Sequence, residues 1–168
     1  MPGISTFLWF NKKAENAAKF YVSIFKGARI TGVSRYPEGP RGKPGSVMTV
    51  TLKLGGNVVT LLNGGPVLKL NSAFSFVVTC GNQKEIDYYW KSLLRGGGKP
   101  VQCGWLTDRF GVSWQVVPDI LYKLIKSKDP AVAARVNAAM LKMIKFDISE
   151  LKKAARQRTE DRRQRADG

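Results

Sequence analysis

Apolar residues recur along this chain with two different periods. Residues 4–10 are almost continuously β-branched or aromatic, which predicts a strand. Alternation puts Ser5, Phe7 and Trp9 on one face and Thr6, Leu8 and Phe10 on the other. A three- and four-residue spacing then takes over. Ala14, Ala17, Ala18, Tyr21 and Phe25 form a stripe, predicting a helix with Asn11 as its N-cap and Gly27 at its C-terminal end. Residues 29–36 return to strand character, and 37–45 are a Gly/Pro-rich loop. Two apolar runs, 47–54 and 58–62, flank Gly55-Gly56-Asn57 as a hairpin.

Asn63-Gly64-Gly65-Pro66 interrupts this pattern, which then begins again. Residues 73–79 read as a strand and 83–94 as a helix with Ile86, Tyr89, Trp90 and Leu93 on one face. Gly96-Gly97-Gly98 stops that helix. Strands at 102–106 and 112–117 flank a turn containing Asp108, Arg109 and Gly111. The order strand, helix, strands therefore occurs twice, as expected of a duplicated βαβββ module, about 3–64 and 72–117. After Pro118 the chain turns helical. Asp129 is an N-cap with Pro130 at the first helical position, and Val132, Val136, Met140 and Met143 line a stripe. Asp147 with Glu150 has capping-box spacing. Helices are expected over 118–155, closing a domain of 1–155, with a charged, disordered tail at 156–168.

Composition narrows the chemistry. The 168 residues include no histidine and only two cysteines, Cys80 and Cys103. That excludes Ser-His and Cys-His catalysis and every histidine-ligated metal site. Two isolated cysteines make no disulfide framework, so a reducing cytoplasm is the expected compartment. No apolar run approaches a bilayer span, and the first ten residues lack the features of a signal peptide, so no membrane partner is expected. The formal net charge is +16, and residues 1–145 carry most of it, with 21 Lys and Arg against 7 Asp and Glu. Such a surface attracts anions, though no nucleic-acid recognition motif accompanies it.

Individual residues admit two readings. Asn63 with its glycines is either an amide and N–H donors offered to an anion, or a strand-terminating turn. Neither GxGxxG nor GxxxxGK[ST] is present. Asp108 reads as an Asx-turn residue and Trp114 as core. Cys103, near Trp105, is a reactive thiol only if it faces a cleft. Tyr88, Tyr89 and Trp90 read as packing, and the Met140 and Met143 stripe as packing or a dimer contact.

The stretches ISTFLWF, AENAAKFYVSIF, GSVMTVTLKL, LNGGP, AFSFVV, EIDYYWKSL and CGWLTDRFGVSWQVVP, followed by DPAVAARVNAAMLKM, carry a resemblance. Over roughly 3–155 the chain resembles the glyoxalase/bleomycin-resistance (vicinal oxygen chelate) superfamily. Within it, the chain is similar to the PhnB-like group labelled 3-demethylubiquinone-9 3-methyltransferase. The resemblance implies an α+β fold, two βαβββ modules forming a curled mixed sheet around a cleft, and a homodimer. In metal-using members four residues of the cleft hold a divalent ion. Here those positions fall on Ser5, between Val59 and Leu62, on or beside Phe74, and on Gln115. A serine, a glutamine and apolar residues do not make a divalent site, so no metal and no cofactor are expected.

With that cleft implied, alternation assigns Ser5, Phe7, Trp9, Phe74, Phe76, Ser113 and Gln115 to its wall, with Asn63 at its mouth. Apolar and aromatic side chains with a few amides and hydroxyls suit a small organic ligand. The expected function is metal-independent binding or conversion of such a molecule. Two alternatives stand beside it. One is the methyl transfer of the group's label, although no Gly-rich strand-to-helix turn for S-adenosylmethionine is present. The other is a non-catalytic module that binds anions or nucleic acid through the basic surface.

Overall fold

The computed structural model describes residues 3–157. The chain divides into two compact units, Met1–Ser72 and Ala73–Gly168. Each is built on one βαβββ module. In the first, β1 (Thr6–Phe10) leads into α1 (Ala14–Ile24), then β2 (Arg29–Arg35), β3 (Val47–Leu54) and β4 (Asn57–Asn63). The sheet order is β1-β4-β3-β2, with β1 parallel to β4 and the other pairs antiparallel.

The alternation read from sequence fixes the faces. Leu8, Phe10, Val50, Leu52, Val59 and Leu61 are buried, as are Ala14, Ala17, Ala18, Tyr21 and Ile24 of α1. Alanines on the helix stripe allow close approach to the sheet, and fully burying a side chain such as Leu52 contributes about 1.5–3 kcal/mol. The opposite face carries Phe7, Trp9, Thr49, Thr51, Thr60 and Leu62. Its hydroxyls pair across strands, Ser34 with Thr49 at 2.5 Å and Thr51 with Thr60 at 3.3 Å. Gly55 and Gly56, both at positive φ, form the two-residue hairpin turn.

Helix α1 does not start as the sequence predicts. Asn11 is not its cap: the N-cap position is Lys13, whose side chain makes no capping bond. The Ala14 N–H instead donates to Oδ1 of Asn63, 49 residues later, at 2.9 Å. The same amide donates through Nδ2 to the Val47 carbonyl at 3.0 Å, and the Asn63 carbonyl accepts from the Tyr36 hydroxyl. One side chain thus ties the start of α1 to the start of β3.

The second unit repeats the plan with β5 (Phe76–Cys80), α2 (Gln83–Leu94), β6 (Lys99–Pro100), β7 (Trp105–Thr107) and β8 (Ser113–Pro118). Its order, β5-β8-β7-β6, matches the first sheet position for position. Helices α3 (Asp119–Ile125), α4 (Pro130–Leu141) and α5 (Ile148–Arg156) follow. Asp129 and Asp147 cap α4 and α5 as their spacing predicts. Asn82 caps α2 by accepting from the Glu85 N–H, while Glu85 reaches back to the Gly81 N–H.

Three expectations shift. The strand expected at 73–79 begins only at Phe76. The strand expected at 102–106 begins at Trp105, because Cys103 sits at φ 56 and its N–H donates to Met143 in the segment after α4. Arg156 belongs to α5, and the expected tail beyond residue 157 lies outside the described residues. Among the described residues no helix is long and apolar enough to cross a membrane.

Asp108 is the organising polar residue of this unit. It is 3% exposed, yet one carboxylate oxygen accepts from the Phe110 and Val112 N–H groups at 2.8 and 3.1 Å. The other accepts from the Trp114 indole at 2.9 Å. The Asx turn expected from sequence is thus also a clamp on the largest buried aromatic.

Two stability predictions follow from these hubs. Asp108→Ala removes a charged acceptor and leaves buried donors unpaired, so urea denaturation should show a loss of about 2–4 kcal/mol. Asn63→Ala should cost about 1–3 kcal/mol, with faster hydrogen exchange at the Ala14 amide. An unchanged exchange rate there would show that the long-range cap is not formed.

Candidate functional site

The first unit contains a cavity of about 730 Å³ at the end of its sheet where β1 and β4 finish and β3 begins. Two features of the sequence shape it. The first is the run Asn63-Gly64-Gly65. Gly64 lies flat under the Trp9 indole, where a Cβ would come within 2.4 Å of the ring. Gly65 takes a positive φ, and its carbonyl accepts from Trp9 Nε1 at 2.8 Å. The Gly64 and Gly65 N–H groups donate to the carbonyls of Phe10 and Asn11. Those donors serve the fold, so the turn reading of this run holds and the N–H-to-anion reading does not.

The second feature is the loop between β2 and β3. Tyr36 and Ser46 close its base through backbone hydrogen bonds. Gly42, at φ +73, lies against the Tyr36 ring, where a Cβ would come within 2.5 Å. This contact sets Arg41 and Lys43 on the cavity wall beside Tyr36. Lys12 and Glu15, at the start of α1, complete the charged part of the wall, while Val47, Met48 and Leu62 supply apolar surface.

Of the residues expected to line a cleft, Trp9 and Asn63 come together here. Trp9 offers the ring, whereas both ends of the Asn63 amide are engaged in the fold. Ser5 and Phe7 are exposed, Phe7 at 60%, and do not line this cavity. The other four lie in the second unit. Ser113 is buried, and Gln115 donates through Nε2 to the Ser75 hydroxyl at 2.9 Å. Phe74 precedes β5, half exposed, with its ring edge against Phe76.

Phe76 corrects the expected grouping. The β5–β8 register places it beside Trp114, with ring centroids 5.0 Å apart, and places Val77 beside Gln115. Phe76 therefore shares the face of Trp114 and not that of Gln115. Alternation gives parity within a strand; the register between strands decides which parities meet. Sequence reasoning also missed Tyr36, Arg41, Lys43, Lys12 and Glu15. The available signal was two cations flanking a glycine in the Gly/Pro-rich loop.

The donor set does not fit the divalent ion that the superfamily implies. Among the described residues no three Cys, Asp or Glu side chains are grouped to hold a metal, and the chain has no histidine. Of the positions between Val59 and Leu62, Val59 and Leu61 are buried in the core and the Thr60 hydroxyl pairs with Thr51. The cysteines add no nucleophile at this cavity. Cys80 is buried in the second unit, where burial, with Glu85 adding to it, pushes its thiol up to about 11. Cys103 Sγ points to the Met140 carbonyl at 3.6 Å.

The profile of the 3-demethylubiquinone-9 3-methyltransferase family matches residues 2–117. A Bacillus cereus PhnB protein carrying that same label is 34% identical, with a TM-score of 0.62, over 70% of this chain and 99% of its own. The Pseudomonas aeruginosa protein PA1353 is 20% identical, with a TM-score of 0.58, over 70% of this chain and 98% of its own. A Listeria monocytogenes fosfomycin resistance protein, complexed with Mn(II) and sulfate, is 14% identical with a TM-score of 0.51, over 75% and 97%. No curated protein matches the chain. The two weaker likenesses speak for the fold alone, while the profile and the Bacillus relative speak for kinship: the chain belongs to the 3-demethylubiquinone-9 3-methyltransferase, or PhnB-like, family.

Proposed function

We propose that this protein binds a small organic molecule without a metal, in the cavity beneath Trp9 and the β2–β3 loop. The cavity itself carries the reading. Its volume lies in the range of small-molecule sites, and its wall combines two aromatic rings with aliphatic surface. The absence of a grouped set of metal donors among the described residues supports metal independence. The free cysteines, one of them buried, are in keeping with a reducing cytoplasm as the site of action.

The family label names a methyl transfer. Against that reading, none of the three strand-to-helix junctions among the described residues offers a glycine-rich cradle for S-adenosylmethionine, and β8 runs straight into α3 at Pro118-Asp119. β1 passes to α1 through Asn11-Lys12-Lys13, and β5 passes to α2 through Gly81-Asn82. Ligand binding, with any chemistry left to Glu15 or the lysines of the wall, is the function best supported.

Thermal unfolding of the full chain against a panel of small organic molecules tests this. A ligand near a hundredfold excess over its Kd should raise Tm by about 5 °C or more. Leu62→Trp, which fills the cavity, should abolish that shift. Mn²⁺, Zn²⁺ and S-adenosylmethionine should leave Tm unmoved. A shift by Mn²⁺ or S-adenosylmethionine that persists in Leu62→Trp would overturn the proposal.

A further inference from the structure

The hydrogen-bonding inventory of the cavity wall narrows the class of ligand. Nearly every neutral polar side chain on it already has a partner inside the fold. Trp9 Nε1 donates to Gly65, the Tyr36 hydroxyl to Asn63 and the Ser46 hydroxyl to the Lys43 carbonyl. The Asn63 amide is engaged at both ends, and the Gly64 and Gly65 N–H groups are paired. Of the neutral side chains only Asn11 is left. A sugar, polyol or neutral amide, which needs several uncharged side-chain partners, would find almost none.

What remains is charge and apolar surface. Lys12, Arg41 and Lys43 lie on the wall against a single carboxylate, Glu15. Among the described residues none of these three cations has a carboxylate within 4.0 Å or a side-chain hydrogen bond. Helix α1 also begins at this rim, and its N-terminal end adds partial positive charge. Trp9, Val47, Met48 and Leu62 supply the apolar part of the lining.

We infer that the cavity is selective for a lipophilic organic anion, its anionic group met by Arg41, Lys43 and Lys12 and its apolar body laid on Trp9 and Leu62. This rests on the cavity being the ligand site, as proposed above. The anionic group can be a carboxylate, sulfonate, phosphate or acidic phenolate, since the wall offers cations without a shaped set of neutral donors to discriminate among them. Arg41 and Lys43 project from a loop whose seat on Tyr36 depends on Gly42, so binding of the charged group acts directly on that loop.

A matched pair of fluorescent probes separates the charge claim from the cavity claim. The first is 1-anilinonaphthalene-8-sulfonate. The second is N-phenyl-1-naphthylamine, the same ring system without the sulfonate. Titrations use the full chain, with each variant's fold checked by its thermal transition. At about 50 mM salt the wild type should bind one sulfonate probe about tenfold more tightly than the neutral one, and the gap should narrow at about 0.5 M. Arg41→Gln with Lys43→Gln should weaken the sulfonate probe about tenfold or more while moving the neutral probe less than about twofold. Leu62→Trp should abolish binding of both. Lys152→Gln with Lys153→Gln, two exposed cations on α5, should change neither. If both probes bind alike and the charge variant moves neither, while Leu62→Trp still blocks both, the anion inference is wrong and the cavity reading survives. If binding of either probe is indifferent to Leu62→Trp, or neither probe binds the wild type, the site itself is misassigned and both fall.

Discussion

The first module depends on the side chain of Asn63. Its amide holds the start of α1 through Ala14 and the start of β3 through Val47, while the Asn63 backbone carbonyl receives the Tyr36 hydroxyl. A helix N-terminus leaves backbone N–H groups without internal partners, and Lys13 has no acceptor with which to satisfy one. Asn63 supplies that acceptor from the end of a strand that is itself parallel to β1. Because β1 and β4 end together, the turn after Asn63 falls directly beside Trp9. Gly64 is then required by contact with the indole, and Gly65 by its backbone angle. The floor of the cavity is thus a consequence of how α1 is capped.

Electrostatics divides the two modules by different means. In the first, charge is placed at a cavity rim and kept apart from internal partners. In the second, the Asp108 charge is drawn inside and satisfied by two backbone N–H groups and an indole. A buried carboxylate with such donors contributes to a unique arrangement of the β7–β8 turn, whereas cations at an open rim contribute little to stability and are available to a ligand. One module therefore holds its charge in a buried clamp, and the other keeps it at a cavity rim.

Much of the fold was legible in the sequence because alternation and helical spacing are local. The stripe of Ala14, Ala17, Ala18 and Tyr21, the bounds of β3 and α2, and the caps at Asp129 and Asp147 all follow from residues within a few positions of one another. What was not legible is long-range. Nothing near Asn11 reveals that Asn63 takes its place as the partner of α1. Nothing in the spacing of Phe74 and Phe76 fixes the register that sets Phe76 beside Trp114. Cys103 takes a left-handed backbone because Met143 and Ile144 bind the segment, a contact across about forty residues. The candidate site was half visible for the same reason: Trp9 is in a strand of clear periodicity, whereas Arg41 and Lys43 sit in a loop whose course is set by a glycine on a tyrosine ring.

The central claim is that this member of the family holds an organic ligand and no metal. Native mass spectrometry of the full chain, freshly purified into volatile buffer, reads both at once. The account predicts a metal-free species carrying a discrete organic adduct, released on collisional activation and absent from Leu62→Trp. A stoichiometric divalent ion that survives purification and chelation, with no organic adduct, would contradict it.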